Sequence, residues 1–213
     1  RTESWSDDSR LGYGWVVIYM ENKAFLPLFL KLDSMLLEKE ILLAIDGGSA
    51  AGKTTLGKLL EQRYACNVFH MDDFFLRPMQ RTKERLAEPG GNVDRERFYE
   101  EVLKRLVEKK EVTYRRYDCK TMSLLEPVTV APTRLTVVEG AYSMHPLLSD
   151  CYDYSVFLEI DEETQKERIM KRNTPGMAER FFKEWILLER EYFKKLHVKE
   201  RCDMVIPVLP ERI

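Results

Sequence analysis

Cysteine, proline and glycine are all infrequent in this sequence of 213 residues, which contains 4, 9 and 10 of them. The cysteines lie far apart, at positions 66, 119, 151 and 202, and form no CxxC pair. This spacing excludes a zinc site of the usual type and a disulfide framework. It favours reduced thiols in a cytoplasmic protein. The chain also has no internal repeat and no low-complexity tract.

Neither an excess of one charge nor a long hydrophobic run is present. The formal net charge is −2, so no global basic field attracts nucleic acid or an anionic membrane. No apolar run approaches the ~20 residues of a membrane helix. Because the chain begins at Arg1 and not at Met, a targeting segment upstream stays open. We expect a cytoplasmic globular protein without nucleic-acid or membrane partners, and self-association as a homo-oligomer stays open.

Segments whose apolar residues fit a strand alternate along the chain with segments whose apolar residues have the period of a helix. They predict strands at residues 41–46, 68–71, 128–130, 134–138, 154–160 and 203–208, and helices at residues 24–39, 53–64, 94–109, 161–172 and 178–196. This alternation predicts an α/β fold of three layers, α/β/α, with a mainly parallel sheet. We interpret residues 1–40 as an N-terminal extension with one helix and residues 41–213 as the main domain. Polar loops are predicted at 77–92 and 173–176.

A phosphate-binding loop (P-loop) is predicted between the first strand of the main domain and the next helix. The run Gly47-Gly48-Ser49-Ala50-Ala51-Gly52-Lys53-Thr54 matches GxxxxGK[ST] at every fixed position. Its glycines let the backbone approach phosphate oxygens, and its N–H groups and the helix N-terminus attract the anion. We expect these residues and Thr55 to bind the phosphates of ATP. Lys53 would act on the β- and γ-phosphates, and the Thr54 hydroxyl would ligate Mg²⁺.

A carboxylate, Glu139, ends the apolar strand predicted at residues 134–138. In a P-loop fold a neighbouring strand ends beside the phosphate loop, so an acid there can hold Mg²⁺ directly or through water. Acids end many strands, and taken alone Glu139 would be one of these. Its expected position beside the P-loop is what favours a metal role.

Two acidic positions bear on the phosphoryl acceptor. Asp72 and Asp73 follow the second strand, at the sheet edge that lines the ligand crevice of open α/β sheets. A carboxylate there either accepts the proton of an attacking hydroxyl or caps the following turn. Asp94 opens a helix, and it is either the N-cap or an acceptor for two sugar hydroxyls. The residues alone leave both alternatives open.

Four basic residues flank the loop at 173–176, namely Arg168, Lys171, Arg172 and Arg180. A cationic lid can stabilise a transferring phosphoryl group, although most charge runs are solvated helix faces. Arg168 and Arg172 lie one turn apart on one helix face. We therefore assign these two to a small lid over the ATP phosphates and Lys171 to the solvent.

Together these motifs resemble the uridine kinase / phosphoribulokinase family of P-loop kinases, which also contains nicotinamide riboside and pantothenate kinases. The resemblance covers residues 41–207. It rests on the P-loop, Asp72-Asp73-Phe74-Phe75, Asn92-Val93-Asp94, Tyr117-Asp118, Glu139-Gly140 and residues 168–172. It implies that ATP with Mg²⁺ phosphorylates a hydroxyl group of a nucleoside or a similar small molecule.

The resemblance also implies roles for single residues. Six positions resemble functional residues of the family: Asp72 its catalytic base, Asp94 its ligand for ribose hydroxyls, Tyr117 an aromatic near the nucleobase, Glu139 its Mg²⁺-associated acid, and Arg168 and Arg172 its lid residues on the ATP phosphates.

The acceptor-side motifs depart from those of uridine kinases. Val93 stands where an aromatic is usual, and residues 119–123 lack the phenylalanine and the histidine of the pattern. A kinase for another ribosyl or pantothenate-like alcohol therefore stays open. A GTPase switch is disfavoured, because the only Asn-Lys pair, Asn22-Lys23, precedes the P-loop. A non-catalytic nucleotide-binding protein is the remaining alternative class.

Overall fold

Five apolar runs of the sequence pair into one parallel sheet in the computed structural model, which describes residues 23–208. The strands of the protein are β1 (Ile41–Gly47), β2 (Asn67–His70), β3 (Val112–Asp118), β4 (Ser123–Val130), β5 (Leu135–Glu139), β6 (Tyr154–Glu159) and β7 (Met204–Pro207). The sheet has the order β2-β5-β1-β6-β7, and every pairing in it is parallel. Strands β3 and β4 form a separate antiparallel hairpin.

Helices connect these strands. They are α1 (Leu26–Glu38), α2 (Lys53–Tyr64), α3 (Lys83–Ala87), α4 (Arg95–Phe98, a π-helical turn Tyr99–Leu103, then Lys104–Val107), α5 (Pro146–Ser149), α6 (Glu162–Arg172), α7 (Pro175–Arg180, a π-helical turn Phe181–Trp185, then Ile186–Lys195) and α8 (Val198–Arg201). Within residues 23–208, none of the helices combines the length and the apolar character needed to cross a membrane.

The central strand β1 divides the molecule into two cores. Its side chains alternate, so that Leu42 and Ala44 enter one core and Leu43 and Ile45 enter the other, all of them buried. Helices α1 and α2 cover the face of Leu43, while α4, α7 and α8 cover the opposite face. A strand buried on both sides reads as a continuous apolar run. The predicted three-layer α/β/α fold with a mainly parallel sheet is therefore confirmed.

Two loop predictions were wrong. Residues 77–92 contain a 3-10 turn, Pro78–Gln80, and helix α3, whose first turn is capped by the Thr82 hydroxyl accepting the Arg85 N–H at 3.1 Å. The loop predicted at 173–176 ends early, because Pro175 begins α7 at a position where its missing N–H would be unpaired in any case.

Strand β3 was not predicted, and β4 extends further than the predicted strand at 128–130. Buried Val112, Tyr114 and Tyr117 alternate irregularly with exposed, basic positions, and a register shift between Arg115 and Tyr117 breaks the period of two. The hairpin packs one face on the main domain and exposes the other, so its sequence is too polar to read as a buried strand.

The register of the sheet positions the site. In the β1–β5 pairing Ile45 lies opposite Glu139, and in the β2–β5 pairing His70 lies opposite the same residue. Because the strands are parallel, their carboxyl ends meet at one edge. The P-loop, Glu139 and the turn that carries Asp72 all begin there.

Helix α1 contributes side chains to the hydrophobic core between α2 and the sheet. Its residues Leu28, Phe29 and Leu32 are buried against the cluster that holds Leu43 and Leu56. Residues 1–22 of the predicted extension lie outside the described residues. The helix itself contributes directly to the packing of the main sheet.

We expect Leu32→Ala to lower the free energy of unfolding by about 2–5 kcal/mol, since Leu32 is fully buried and its loss leaves a cavity. The matched control is Leu30→Ala on the exposed side of the same helix, which should change it by less than about 0.5 kcal/mol. Urea unfolding measures both. Equal effects of the two substitutions would show that α1 does not contribute to the core.

Candidate phosphoryl-transfer site

The P-loop leaves β1 through a glycine that tolerates no side chain. Gly47 has φ +141°, and a Cβ atom there would come within 2.5 Å of the Leu158 carbonyl oxygen on β6. Gly52 has φ +93° and caps the N-terminus of α2, and apart from its chain neighbours and its own helix no atom of residues 23–208 lies within 4 Å of the position of its Cβ. The space in front of the helix is thus open to a phosphate group, which the helix N-terminus attracts.

Two side chains at the start of α2 face this loop and the next strand. The Nζ atom of Lys53 donates hydrogen bonds to the carbonyl oxygens of Gly47 (2.8 Å) and Gly48 (2.9 Å). The hydroxyl of Thr54 donates to Oε1 of Glu139 at 3.0 Å. Both residues therefore lie at the predicted phosphate site, where a cation and a hydroxyl can meet a triphosphate and its metal ion.

Glu139 is buried and shares its Oε1 atom with His70, whose Nδ1 lies 2.6 Å away. Burial opposes ionisation of Glu139, but the hydrogen bond from His70 and the positive charge of Lys53 outweigh it and lower its pKa. The hydrogen bond to Glu139 in turn raises the pKa of His70, against the opposing effect of burial. Each member of the pair therefore favours the charged form of the other.

The donor set fits Mg²⁺. A hydroxyl and an ionised carboxylate are hard oxygen ligands, and Mg²⁺ usually adds phosphate oxygens and waters to one or two such protein groups. Thr54 and Glu139 would hold the ion, which would neutralise charge on the triphosphate. Among the residues from 23 to 208, no group of three or more His, Cys, Asp and Glu side chains is arranged to bind a metal.

Asp72 lies in the 3-10 turn Met71–Phe74 that follows β2, with its side chain exposed at the open side of the edge. Desolvation by the surrounding walls raises the pKa of Asp72, while the charges of Lys53, His70 and Arg172 act in the opposite direction. The fold thus brings the predicted base within electrostatic reach of the P-loop lysine and of one lid arginine.

Asp94 caps helix α4. Its Oδ1 accepts the N–H of Arg97 at 3.2 Å, its Oδ2 accepts Nε2 of Gln80 at 2.8 Å, and only 3% of the residue is exposed. The N-cap alternative is therefore present in the structure. Both carboxylate oxygens have protein partners, and binding of sugar hydroxyls stays a prediction.

Tyr117 is buried in β3, and its hydroxyl donates to Sδ of Met122 at 3.4 Å across the hairpin. The β3 strand packs against the 3-10 turn that carries Asp72. Tyr117 thus belongs to a strand that adjoins the turn of the predicted base, and its role beside a nucleobase stays a prediction.

The predicted lid residues, Arg168 and Arg172, lie in the second half of α6. Arg168 donates from Nη1 to the carbonyl oxygen of Ala50 at 3.2 Å, so it contacts the P-loop itself. Arg172 is exposed, and its guanidinium lies 5.4 Å from the ring centroid of Phe181 on α7. Arg168 thus contacts the P-loop and Arg172 contacts the next helix, and their action on ATP phosphates stays a prediction.

Three polar residues next to the P-loop, Glu189, Gln165 and Asp46, were not predicted from the sequence. Glu189 on α7 accepts both the N–H (2.8 Å) and the hydroxyl (2.6 Å) of Ser49, and Gln165 on α6 donates to the Ser49 carbonyl at 2.9 Å. Buried Asp46 accepts the hydroxyl of Tyr192 at 2.8 Å, and burial raises its pKa to about 6. No local pattern distinguishes Glu189 or Gln165 from other polar helix positions, because their partners are more than 100 residues away.

Comparison with known families decides the wider assignment. The sequence model of the phosphoribulokinase / uridine kinase family matches residues 42–212. The chain belongs to this family. The resemblance inferred from the motifs is therefore confirmed. Membership supports a P-loop phosphotransferase with an alcohol group as acceptor.

Solved structures of several kinases share this fold. The "Possible Uridine Kinase" from Bacillus stearothermophilus has a TM-score of 0.61 and 22% identity over 85% of this chain and 100% of its own. D-glycerate 3-kinase from Cryptococcus neoformans has 0.59 and 14% over 82% and 88%, and phosphoribulokinase from Rhodobacter spheroides has 0.54 and 14% over 79% and 70%. No curated protein matches the sequence significantly. Identities this low establish the fold and leave the acceptor open.

We expect the ion pair of His70 and Glu139 to stabilise the fold most between about pH 4.5 and 6.5. The pKa of His70 is raised above 6.5, so its contribution is complete below that pH and is lost as the pH rises through the raised pKa. The pKa of Glu139 is lowered from 4.5, so its contribution is complete above that pH and is lost as the pH falls through the lowered pKa.

Urea unfolding of the wild type and His70→Gln over a range of pH tests this expectation. The difference in unfolding free energy should be largest inside the window and should shrink at alkaline pH. In a Glu139→Gln background the pH dependence of that difference should become smaller, since only burial and the charges of Asp72 and Asp73 then act on His70. A constant difference at all pH values would contradict the ion pair.

Proposed function

We propose that this member of the phosphoribulokinase / uridine kinase family transfers the γ-phosphoryl group of ATP, bound with Mg²⁺, to a hydroxyl group of a nucleoside or a similar small molecule. The observation that carries the proposal is the meeting of three strand ends at one edge. They carry the P-loop with Lys53, the Thr54–Glu139 pair and the Asp72 turn. Donor, metal and acceptor functions thus have separate residues in one cleft.

The chemistry follows from the positions of these groups. Asp72 accepts the proton of the acceptor hydroxyl as its oxygen attacks the γ-phosphorus, and the bond from that phosphorus to the β–γ bridging oxygen breaks to release ADP. Lys53 and the lid arginines Arg168 and Arg172 stabilise the negative charge on the phosphoryl oxygens. Thr54 and Glu139 would hold Mg²⁺, which would supply further charge neutralisation.

Phosphorylation of a different alcohol, ribosyl or pantothenate-like, is the second candidate. Its pantothenate-like version is favoured by the engagement of Asp94, whose two carboxylate oxygens already accept hydrogen bonds from Arg97 and Gln80. A ribose diol would have to share these oxygens with the two donors or displace them. The absence of histidine from residues 119–123 also removes the family's usual group for reading a pyrimidine.

Asp72→Asn should lower kcat by roughly 10²–10⁴-fold, because the amide cannot accept the proton of the attacking hydroxyl. ATP affinity should stay within about threefold of the wild type, since the P-loop is untouched. The matched comparison is Asp73→Asn in the same turn, which should keep most of the turnover. Measurement of ADP formation and of ATP binding checks both. Wild-type turnover in Asp72→Asn would exclude Asp72 as the base.

A panel of acceptors separates the two candidate substrates. We expect transfer of ³²P from γ-labelled ATP to at least one hydroxyl compound among nucleosides, other ribosyl compounds and pantothenate-like alcohols. Turnover of uridine or cytidine supports the nucleoside version. Turnover confined to the other alcohols rejects that version, and ATP binding without transfer to any of them favours a non-catalytic protein.

A further inference from the structure

The N–H, the hydroxyl and the carbonyl of Ser49 all form hydrogen bonds with residues of helices outside the P-loop. Its N–H and hydroxyl donate to the two carboxylate oxygens of Glu189 on α7, and its carbonyl accepts Nε2 of Gln165 on α6. The next residue, Ala50, has φ +63° and gives its carbonyl to Arg168. Hydrogen bonds from α6 and α7 therefore fix the first half of the P-loop, while the space at the Cβ position of Gly52 is open.

Glu189 is a buried carboxylate. Only 6% of it is exposed, and no arginine or lysine donates a hydrogen bond to its carboxylate among the contacts of residues 23–208. Burial raises the pKa of Glu189, and the charge of Lys53 and the Ser49 bonds act against that rise. A buried carboxylate beside a triphosphate site carries an electrostatic cost, which its contacts with the loop must offset.

Helix α7 is itself fixed in place one turn further on. Tyr192 is fully buried and donates its hydroxyl to Oδ2 of Asp46, the last residue before the P-loop. The same Asp46 accepts the N–H groups of Gly47 and of Met144. Helix α7 thus contacts both Asp46, directly before the P-loop, and Ser49, in the first half of the loop. Glu189 therefore has little freedom to move away from Ser49.

We propose that Glu189 is a positioning residue of the phosphate site. By accepting both donors of Ser49 it fixes the backbone of residues 48–50, so that the following N–H groups of the loop and Lys53 stay aimed at the phosphates. The inference rests on ATP being the donor in the proposed function. It requires nothing of the acceptor.

A competing account makes the opposite prediction for ATP binding. If the carboxylate of Glu189 acted only as a negative charge near the triphosphate, its removal would strengthen binding of ATP. If it positions the loop, removal weakens binding. Glutamine keeps the size of the side chain and one acceptor oxygen, but its NH₂ group cannot accept the second donor of Ser49.

We expect Glu189→Gln to raise the Kd of Mg·ATP by about tenfold, because one donor of the loop loses its partner in a buried place. Isothermal titration calorimetry with Mg·ATP and with a non-hydrolysable analogue measures this without turnover. The KM for the acceptor should stay within about twofold. Ser49→Ala, which removes only the hydroxyl donor, should raise the Kd by a smaller factor and should add little in the Glu189→Gln background.

Two controls separate positioning from loss of stability. Glu191→Gln changes an exposed carboxylate on the same helix and should leave the Kd unchanged. Leu32→Ala destabilises the fold away from the P-loop and should also leave the Kd unchanged. Circular dichroism shows which variants are folded, and Ser49→Ala decides the matter if Glu189→Gln is not.

The outcomes distinguish this inference from the proposed function. A wild type that fails to bind Mg·ATP would overturn both. A wild type that binds, together with an unchanged or lower Kd in Glu189→Gln and in Ser49→Ala, would overturn the positioning role alone. A raised Kd in Glu189→Gln with both controls unchanged supports it.

Discussion

Parallel pairing of β5 with β1 on one side and β2 on the other is the constraint on which the site depends. It places Glu139 beside both Ile45 and His70, at the edge where all three strands end. An antiparallel or shifted pairing would move Glu139 away from the P-loop or turn its side chain to the other face. The contact of Glu139 with Thr54 is a consequence of this register.

Buried charge is the second feature of this edge. Asp46, Glu139 and Glu189 are all inaccessible to solvent or nearly so, and each accepts at least two hydrogen bonds. An unpaired carboxylate in such a place would be strongly destabilising. Here the partners are P-loop and strand-end groups, together with helix residues such as Tyr192. The same interactions that make the carboxylates tolerable also hold the P-loop in shape.

The predicted acceptor side is built differently. It consists of the Asp72 turn, the hairpin of β3 and β4, and the cap of α4 at Asp94, and apart from the strand before that turn none of these elements belongs to the main sheet. Aromatic contacts connect the turn with the hairpin, as in the stacked pair Phe74 and Tyr114, with ring centroids 5.7 Å apart. The predicted acceptor side therefore depends on side-chain packing, whereas the P-loop depends on the register of the sheet.

Local chemistry was enough to predict the layered fold, the P-loop and helix α2, because periodicity and glycine spacing are properties of neighbouring residues. The same holds for the acids at 72 and 139, which end apolar strands. The hairpin strand β3 escaped prediction, since its polar sequence acquires a buried side only through packing. Helix α3 escaped prediction because it is a single short turn without buried residues, so no apolar period marks it. The capping of α4 by Asp94 was one of two open alternatives from the sequence, and the hydrogen bond from the Arg97 N–H to Asp94 shows that the cap forms. The hydrogen bonds between Glu189 and Ser49 join residues 140 positions apart, so only the tertiary structure determines that they form.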